Sequence, residues 1–252
     1  MSFDVVAGSY DRFMGRYSSL LSPQLADFAE VRPGQRVLDV GCGPGALTSE
    51  LVARLGPEGV SAVDPSASFV AAARERNPGV DVQQAPAERL PFPELTFDAA
   101  FAQLVVHFMV DPVGGLAEMA RVTRPNGVVT ACVWDLAGGR APISLYWEAA
   151  RELDPDVDDE SRLAGAHQGH LAELLAAAGL REIEVAVLSA DLEHASFEEW
   201  WEPFTLGVGP AGGYLAGLDP DRQAGLREHC RTLLPAAPFT VAARAWAARG
   251  CV

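Results

Sequence analysis

The segment that most constrains this chain is residues 37–45, which read Val-Leu-Asp-Val-Gly-Cys-Gly-Pro-Gly. Its apolar first half predicts a buried β-strand with an acidic residue at its C-terminal end. Gly41, Gly43 and Gly45 then predict a turn whose backbone adopts positive φ and can approach a ligand closely. Leucines at helical spacing in residues 46–55 predict a helix. A strand, a glycine turn and a helix N-terminus together favour a pocket for an adenosine-type ligand at the carboxyl end of a parallel sheet.

The glycine pattern alone fits two ligands. Gly41, Gly43 and Ala46 match the dinucleotide fingerprint, and Asp64 lies 23 residues after Gly41, where a ribose-binding acid belongs. Asp39 separates the alternatives, because a carboxylate at the strand end would repel the pyrophosphate of a nicotinamide dinucleotide. S-adenosylmethionine has no phosphate and carries an ammonium and a sulfonium. The segment therefore favours S-adenosylmethionine, with an NAD-dependent oxidoreductase as the weaker alternative.

Composition narrows the possible partners. The 252 residues suffice for one α/β domain with insertions, and 49% apolar and 21% charged residues are ordinary for a globular protein. A net charge of −15 argues against nucleic acid as a partner, since its binding requires a basic surface. The start of the chain lacks the pattern of a signal peptide, and no stretch approaches the ~20 apolar residues of a membrane span. The four cysteines form no Cys-x-x-Cys pair, so we expect reduced thiols and a cytoplasmic protein without a membrane partner.

Strands and helices alternate along the chain, which predicts a doubly wound, mostly parallel sheet. The predicted strands are 37–40, 60–64, 80–84, 97–103, 128–134, 183–188 and 239–247. The predicted helices are two within 4–31, the second beginning at Ser22-Pro23, and then 46–55, 66–76, 112–123 and 171–178. We expect one domain over 1–252, with a core at about 33–136 and 167–252 and cap segments at about 1–31, 137–166 and 194–235.

The cap supplies further candidate residues. Tyr10 and Tyr17 lie on an aromatic face of the first helix, and Tyr10, Arg16 or Tyr17 could close over the ligand, although simple core packing explains the aromatics as well. The acidic stretch 152–160 resembles the start of a calcium loop but lacks its later glycine and glutamate, so we expect a solvated loop. His167 and His170 lack a third ligand at convincing spacing, so we expect no metal site.

The chain resembles a class I S-adenosylmethionine-dependent methyltransferase of the small-molecule type, with a motif set like that of the ubiquinone and menaquinone methyltransferases. The matching segments are 37–45, 63–66 (Val-Asp-Pro-Ser), 85–92 (Ala-Pro-Ala-Glu-Arg-Leu-Pro-Phe), Phe97-Asp98, His107 and 124–127 (Arg-Pro-Asn-Gly). The resemblance implies a Rossmann-like sheet of seven strands whose last strand runs antiparallel between the fifth and the sixth. It also implies S-adenosylmethionine as the cofactor.

Roles are carried over from the family by position. Gly41 and Gly43 would line the methionine end, with Cys42 in the same turn and Asp39 nearby. Asp64 would hold the ribose hydroxyls, a role that its place at the tip of the second strand also favours over a plain helix cap. Pro65 would pack against adenine, Ala87 and Glu88 would flank the adenine edge, and the backbone carbonyl of Gln103 would contact the ammonium. Pro86 stands where the family usually has an acid that contacts the adenine amino group.

The expected reaction is in-line displacement of the methyl group onto an oxygen, nitrogen or carbon nucleophile of a small molecule, aligned in a dry pocket. A base is required only if the acceptor must lose a proton. His107 is the first candidate because it follows the tip of the fourth strand, and Asp135 and Tyr17 are lesser ones. The aromatic-rich cap predicts an apolar acceptor, and a planar molecule would fit this expectation. The alternative is a protein of this fold that binds the cofactor without transferring methyl, such as a cyclase or a partner of another enzyme.

Overall fold

A computed structural model describes residues 7–252 and contains a seven-stranded sheet. Its strands are β1 Val37–Val40, β2 Val60–Asp64, β3 Asp81–Gln84, β4 Phe97–Gln103, β5 Thr123–Trp134, β6 Arg181–His194 and β7 Phe239–Cys251. The order across the sheet is β3-β2-β1-β4-β5-β7-β6. The first five strands pair in parallel, and β7 runs antiparallel to both β5 and β6. The predicted fold class, including the placement of the last strand, is confirmed.

Helices cover both faces of this sheet. They are α1 Ala7–Tyr10, α2 Arg16–Phe28, α3 Ala46–Leu55, α4 Ala67–Arg76, α5 Pro112–Val122, α6 Ser144–Leu153, α7 His170–Ala177, α8 Phe197–Trp201, α9 Gly209–Gly217 and α10 Pro220–Leu233. A π-helical segment, Asp11–Gly15, joins α1 to α2. Side chains of β4 alternate between two apolar clusters: Phe101 belongs to one, and Ala100 and Ala102 belong to the other. Both faces are therefore buried, as is usual for a parallel sheet.

The strand order places the site. From β1 the chain moves outward through β2 to β3, then crosses back to β4 on the other side of β1. Ligands of open α/β sheets bind at such a reversal, beyond the carboxyl ends of the strands. The loops after β1, β2 and β4 meet there, which brings the glycine turn, Asp64 and the segment after Gln103 to one edge of the sheet.

The predicted start of a second helix at Ser22-Pro23 is wrong. Helix α2 runs without interruption through Pro23, and the Ser22 hydroxyl donates a hydrogen bond to the Ser18 carbonyl inside the helix. Leu21 and Leu25 on either side of the proline are fully buried in the core, and this packing outweighs the backbone hydrogen bond that proline cannot donate. Positions 4–6 of the predicted first helix lie outside the described residues.

The other differences concern the lengths of strands. Strand β5 begins at Thr123, five residues before the prediction, and the Arg-Pro-Asn-Gly segment lies within it at a shift of register against β4. Strands β6 and β7 pair with each other from Arg181–Cys251 to His194–Phe239, far beyond the predicted bounds of β6. The hydrophobic pattern does not mark the ends of β6, because one face of this strand is exposed and yet carries the apolar Val185 and Val187. The division into core and cap segments stays a prediction.

Within residues 7–252, no helix combines the length and the apolar character that a membrane-spanning helix requires.

Candidate active site

A cavity of about 590 Å³ opens at the carboxyl ends of β1, β2 and β4. This volume lies within the usual range of small-molecule sites, about 300–1,000 Å³. Eight predicted cofactor-binding residues line it: Tyr10, Gly41, Gly43, Asp64, Pro65, Ala87, Glu88 and Gln103. Its wall does not include the other predicted cofactor-binding residues, Asp39, Cys42 and Arg16. The candidate catalytic residues His107, Tyr17 and Asp135 do not line it either.

The glycine turn has different requirements at its first two glycines. Gly41 has φ +70°, and a Cβ there would lie 2.3 Å from Cγ2 of Val105, so the loop after β4 packs directly on its backbone. Gly43 has φ +53°, and a Cβ there would meet only Cε1 of Tyr10, at 4.0 Å. Gly41 is thus required by packing, whereas Gly43 presents bare backbone to the cavity. Cys42 is buried between them and donates its backbone N–H to the Val63 carbonyl.

Asp64 joins the first loop of the site to the second. One carboxylate oxygen, Oδ2, accepts the N–H of Gly43 at 2.9 Å, and the other, Oδ1, accepts the N–H of Ser66 at 2.8 Å. The side chain lines the cavity but the residue is only 5% exposed, and this burial raises the pKa of its carboxyl group. Asp64 therefore fixes the glycine turn and the start of α4 while it faces the ligand space.

Asp39 lies beneath the turn rather than in the cavity wall. Its Oδ2 accepts the Thr48 hydroxyl at 2.6 Å, and within residues 7–252 its buried Oδ1 has no hydrogen-bond partner. Burial is the largest cause that raises the pKa of Asp39 from 3.8 to about 7, opposed by the Thr48 hydrogen bond. Asp39 thus has an unpaired oxygen below the bare-backbone turn, and a positive charge on a bound ligand would favour its ionised form.

The raised pKa of Asp39 predicts a pH-dependent stability. The folded state holds the proton more tightly than the unfolded state, so this contribution is complete below pH about 4 and is lost as pH rises to about 7. The difference from 3.8 to about 7 corresponds to a decrease of up to about 4 kcal/mol in the free energy of unfolding. Denaturant unfolding at several pH values should show this decrease in the parent protein and a smaller one in Asp39→Asn.

The exposed Asp158 provides the control, because Asp158→Asn removes a carboxylate without changing a buried group and should keep the parental decrease. Asp64 and Glu160, whose pKa values are also raised by burial, contribute in the same direction, so part of the slope remains in Asp39→Asn. An identical decrease in the parent and in Asp39→Asn would contradict the assignment.

Glu88 and Pro86 both line the cavity near the predicted adenine end. Oε1 of Glu88 accepts the backbone N–H groups of Val110 at 2.8 Å and Asp111 at 3.2 Å. Glu88 therefore holds the loop after β4 in place. Because position 86 is a proline, Glu88 is the residue that places a carboxylate from the Ala-Pro-Ala-Glu segment at the cavity.

Gln103 and Tyr10 connect the sheet with the N-terminal helices. Nε2 of Gln103 donates to the Ser18 carbonyl at 3.2 Å and to the Ser22 hydroxyl at 3.1 Å, so its amide is turned toward α2. Tyr10 contacts Phe69 edge to face, with ring centroids 5.4 Å apart, and burial raises its pKa to about 12. Tyr10 thus lies beside the glycine turn as a neutral phenol, and its closing over the ligand stays a prediction.

Three predicted residues lie away from the main cavity. Arg16 forms an ion pair with Glu199 at 2.7 Å. The Tyr17 hydroxyl lies 2.9 Å from Nε2 of His194 in the buried core. Asp135 accepts hydrogen bonds from the N–H of Gly138 and the indole of Trp246, and it also pairs with Arg140. Each of these side chains has a structural partner in its own environment, and the structure does not bring them to the cavity.

His107 lines a second, narrow cavity of about 40 Å³ next to the first. The two cavities share Tyr10, Leu104 and Phe108 as common walls. The imidazole is buried, and in the part of the chain that the structure describes its Nδ1 has no hydrogen-bond partner. Burial lowers the pKa of His107 to about 3, so the ring is neutral at pH 7 and can accept a hydrogen bond.

Sequence reasoning missed Glu160, which lines the same narrow cavity. The residue belongs to the acidic stretch that was expected to be solvated, yet it is only 5% exposed. Its Oε2 accepts the indole N–H of Trp147 at 2.9 Å, and burial raises its pKa to about 7. Within residues 7–252, no three metal-ligating side chains come together, so Glu160 and His107 are not parts of a metal cluster.

Comparisons with known proteins identify methyltransferases as relatives of this chain. A family profile described as a methyltransferase domain matches residues 38–131. Demethylmenaquinone methyltransferase of Mycobacterium sp. (strain KMS) is 36% identical over 166 residues, covering 61% of this chain and 70% of that protein. Nocamycin O-methyltransferase of Saccharothrix syringae is 32% identical over 220 residues, covering 77% of this chain and 75% of that protein.

A similar fold also occurs in an enzyme that is named for another reaction. The crystal structure of the [4+2]-cyclase SpnF matches with a TM-score of 0.57 and 22% identity over 92% of this chain and 81% of that chain. At that identity the likeness shows the fold alone, whereas the two sequence relatives are both methyltransferases. The chain therefore belongs to the class I S-adenosylmethionine-dependent methyltransferases.

Proposed function

We propose that this methyltransferase methylates an apolar small molecule whose reacting atom lies where the main cavity meets the narrow one. The observation that carries the proposal is the shared wall of Tyr10, Leu104 and Phe108 between the two spaces. One space has the size and the loops expected for the cofactor. The other is lined mainly by apolar side chains and contains a neutral histidine.

The residues of the main cavity fit S-adenosylmethionine. Asp64 would accept the ribose hydroxyls while it keeps the two backbone N–H groups that it already binds. Gly43 leaves open backbone beside the methionine end, where a side chain would occupy ligand space. Asp39 would complement the positive charge from below with its unpaired oxygen. Pro65 and Ala87 would enclose the adenine, with Glu88 at its edge.

The cofactor, when bound, supplies an activated methyl group for in-line displacement by a nucleophile. The task of the protein is therefore to align that nucleophile and to exclude water. Tyr10 and Phe108 cover the junction of the cavities. His107, buried and neutral, would accept a hydrogen bond from an acceptor hydroxyl. Because its lowered pKa makes the imidazole a weak base, it would receive the proton only as the transferring methyl group makes that hydroxyl strongly acidic. The names of the two relatives refer to small-molecule acceptors, which supports this class of substrate.

The direct test is conversion of S-adenosylmethionine into S-adenosylhomocysteine in the presence of apolar acceptors, with the methylated product identified by mass spectrometry. We expect equimolar amounts of the two products. Tight binding of the cofactor without methylated product from any acceptor would favour the alternative function of cofactor binding without transfer. Binding of NADH in place of S-adenosylhomocysteine would favour the oxidoreductase alternative.

His107→Gln should lower kcat strongly if the acceptor must lose a proton. Removal of a general base typically costs about 10²–10⁴ in rate. His107 does not line the main cavity, so the Kd for S-adenosylhomocysteine should change by less than about twofold. His167→Gln, an exposed histidine substituted in the same way, is the control and should retain parental kcat. Parental kcat in His107→Gln would exclude His107 as the base.

A further inference from the structure

The narrow cavity holds a second polar group besides His107, which the methyl transfer described above does not use. Glu160 is almost completely buried and faces a space whose other walls are mainly apolar, among them Phe13, Leu136 and Val208. An unpaired carboxyl group in such surroundings is costly, so a buried carboxyl normally has hydrogen-bond donors for both oxygens.

Only half of that requirement is met. The indole N–H of Trp147 binds Oε2 of Glu160, and no other donor to this carboxyl group occurs among residues 7–252. Trp147 is itself buried and does not line the narrow cavity, so it fixes the carboxyl group from behind. In the same cavity His107 also has a buried ring nitrogen without a partner. The second carboxyl oxygen of Glu160, to which no hydrogen bond is made within residues 7–252, and Nδ1 of His107 thus belong to two residues that line the same, mainly apolar cavity. Together they favour a ligand that supplies polar hydrogens.

The charges of the lining restrict the ligand further. In the described part of the chain, no lysine or arginine lines either the main or the narrow cavity. Asp64 and Glu88 line the main cavity and Glu160 the narrow one, so the combined site carries only acidic ionisable side chains besides tyrosine and histidine. An acceptor with a carboxylate or phosphate near its reacting end would meet repulsion and no compensating cation.

We propose that Glu160 is an acceptor-binding residue, whose carboxyl group accepts a hydrogen bond from a hydroxyl or amine of an apolar, non-anionic methyl acceptor. This inference rests on the proposed function. About 10–15 Å³ suffices for one water molecule, so the narrow cavity of about 40 Å³ receives a small polar group and not a whole ring. The apolar body of the acceptor would then lie toward the shared wall.

The experiment measures binding of four indole probes to the protein saturated with S-adenosylhomocysteine: indole, 5-hydroxyindole, tryptamine and indole-3-acetate. We expect the hydroxyl and amine probes to bind about tenfold more tightly than indole, and indole-3-acetate to bind most weakly. The variants are Glu160→Gln and, as the control, Asp158→Asn, which removes an exposed carboxylate two residues away.

Glu160→Gln keeps the size of the side chain but changes its hydrogen-bonding pattern. Because the amide oxygen must accept the Trp147 indole N–H, the amide NH₂ group takes the place of the free carboxyl oxygen. The amide NH₂ group then faces the hydroxyl or amine hydrogen of the ligand, and no hydrogen bond forms between two donors. Tryptamine, whose ammonium cannot accept a hydrogen bond, should lose its whole advantage over indole, and 5-hydroxyindole should lose less. Asp158→Asn should keep both advantages.

The inference is overturned if the hydroxyl and amine probes gain nothing over indole, if indole-3-acetate binds as well as they do, or if Glu160→Gln keeps the parental preference. Binding of S-adenosylhomocysteine, measured first, separates this result from the proposed function. Absence of that binding in the parent overturns the cofactor site itself. Parental affinity for S-adenosylhomocysteine in Glu160→Gln shows that the variant is folded.

Discussion

Gly41→Ala should destabilise the protein by about 2–5 kcal/mol. The positive φ of Gly41 costs a residue with a side chain about 1–2 kcal/mol, and forcing a methyl group into a packed site costs about 1–3 kcal/mol more. The new Cβ would lie 2.3 Å from Cγ2 of Val105, so the turn and the loop after β4 must separate. Thermal unfolding should show a decrease of about 2–4 °C for each kcal/mol. Both displaced segments line the main cavity, so affinity for S-adenosylhomocysteine should also decrease, by at least about tenfold.

Gly139→Ala is the matched control for backbone strain. Gly139 has φ +69°, almost the same as Gly41, but nothing lies within 4 Å of a Cβ placed there. Backbone strain alone should therefore destabilise Gly139→Ala, by about 1–2 kcal/mol, and its affinity for S-adenosylhomocysteine should not change. Val105→Ala combined with Gly41→Ala removes both Cγ atoms and should recover part of the loss. Equal destabilisation by Gly41→Ala and Gly139→Ala would show that the contact with Val105 is unimportant.

Asp64→Ala should weaken binding of S-adenosylhomocysteine by about 1–3 kcal/mol, or about 5- to 150-fold, because the ribose hydroxyls lose their acceptor. The same change removes the side-chain acceptor of the half-buried N–H groups of Gly43 and Ser66, which costs up to about 1–3 kcal/mol of stability for each hydrogen bond. Asp64→Asn should have an intermediate effect, since its amide can accept from one N–H but presents a donor to the other. Calorimetric titration and denaturant unfolding measure the two effects separately.

Asp219→Ala is the control for removing an aspartate whose carboxylate accepts a backbone N–H. Asp219 accepts the N–H of Arg222 at 2.9 Å at the start of α10, away from the main cavity. The variant should lose about 1 kcal/mol of stability, typical of a helix N-cap, with its affinity for S-adenosylhomocysteine unchanged. If Asp64→Ala likewise binds with parental affinity, Asp64 has no part in cofactor binding.

The fold and the main cavity were readable from the sequence because local patterns encode them. Residues 37–45 specify a strand and a turn whose glycines are required by φ values and close contacts that side chains cannot tolerate. Asp64 was identifiable because the end of a parallel strand has a fixed relation to the first loop. Neither inference required knowledge of which distant segments come together.

The parts that could not be predicted depend on tertiary contacts. Helix α2 continues through Pro23 because its flanking leucines are buried, which the proline itself does not reveal. Glu160 looks like its exposed neighbours in the sequence, and only the position of Trp147 identifies it as buried. Arg16 and Tyr17 were placed near the ligand by helical spacing, but their partners, Glu199 and His194, come from the distant second half of the chain.

The central claim is that the cavity at the ends of β1, β2 and β4 holds S-adenosylmethionine, and a crystal structure of the complex with S-adenosylhomocysteine tests it most directly. We predict both ribose hydroxyls within hydrogen-bond distance of the Asp64 carboxylate, adenine against Pro65, and the sulfur directed toward the wall that Tyr10, Leu104 and Phe108 share. Electron density for the ligand at another place on the protein, with this cavity filled by water alone, would contradict the account.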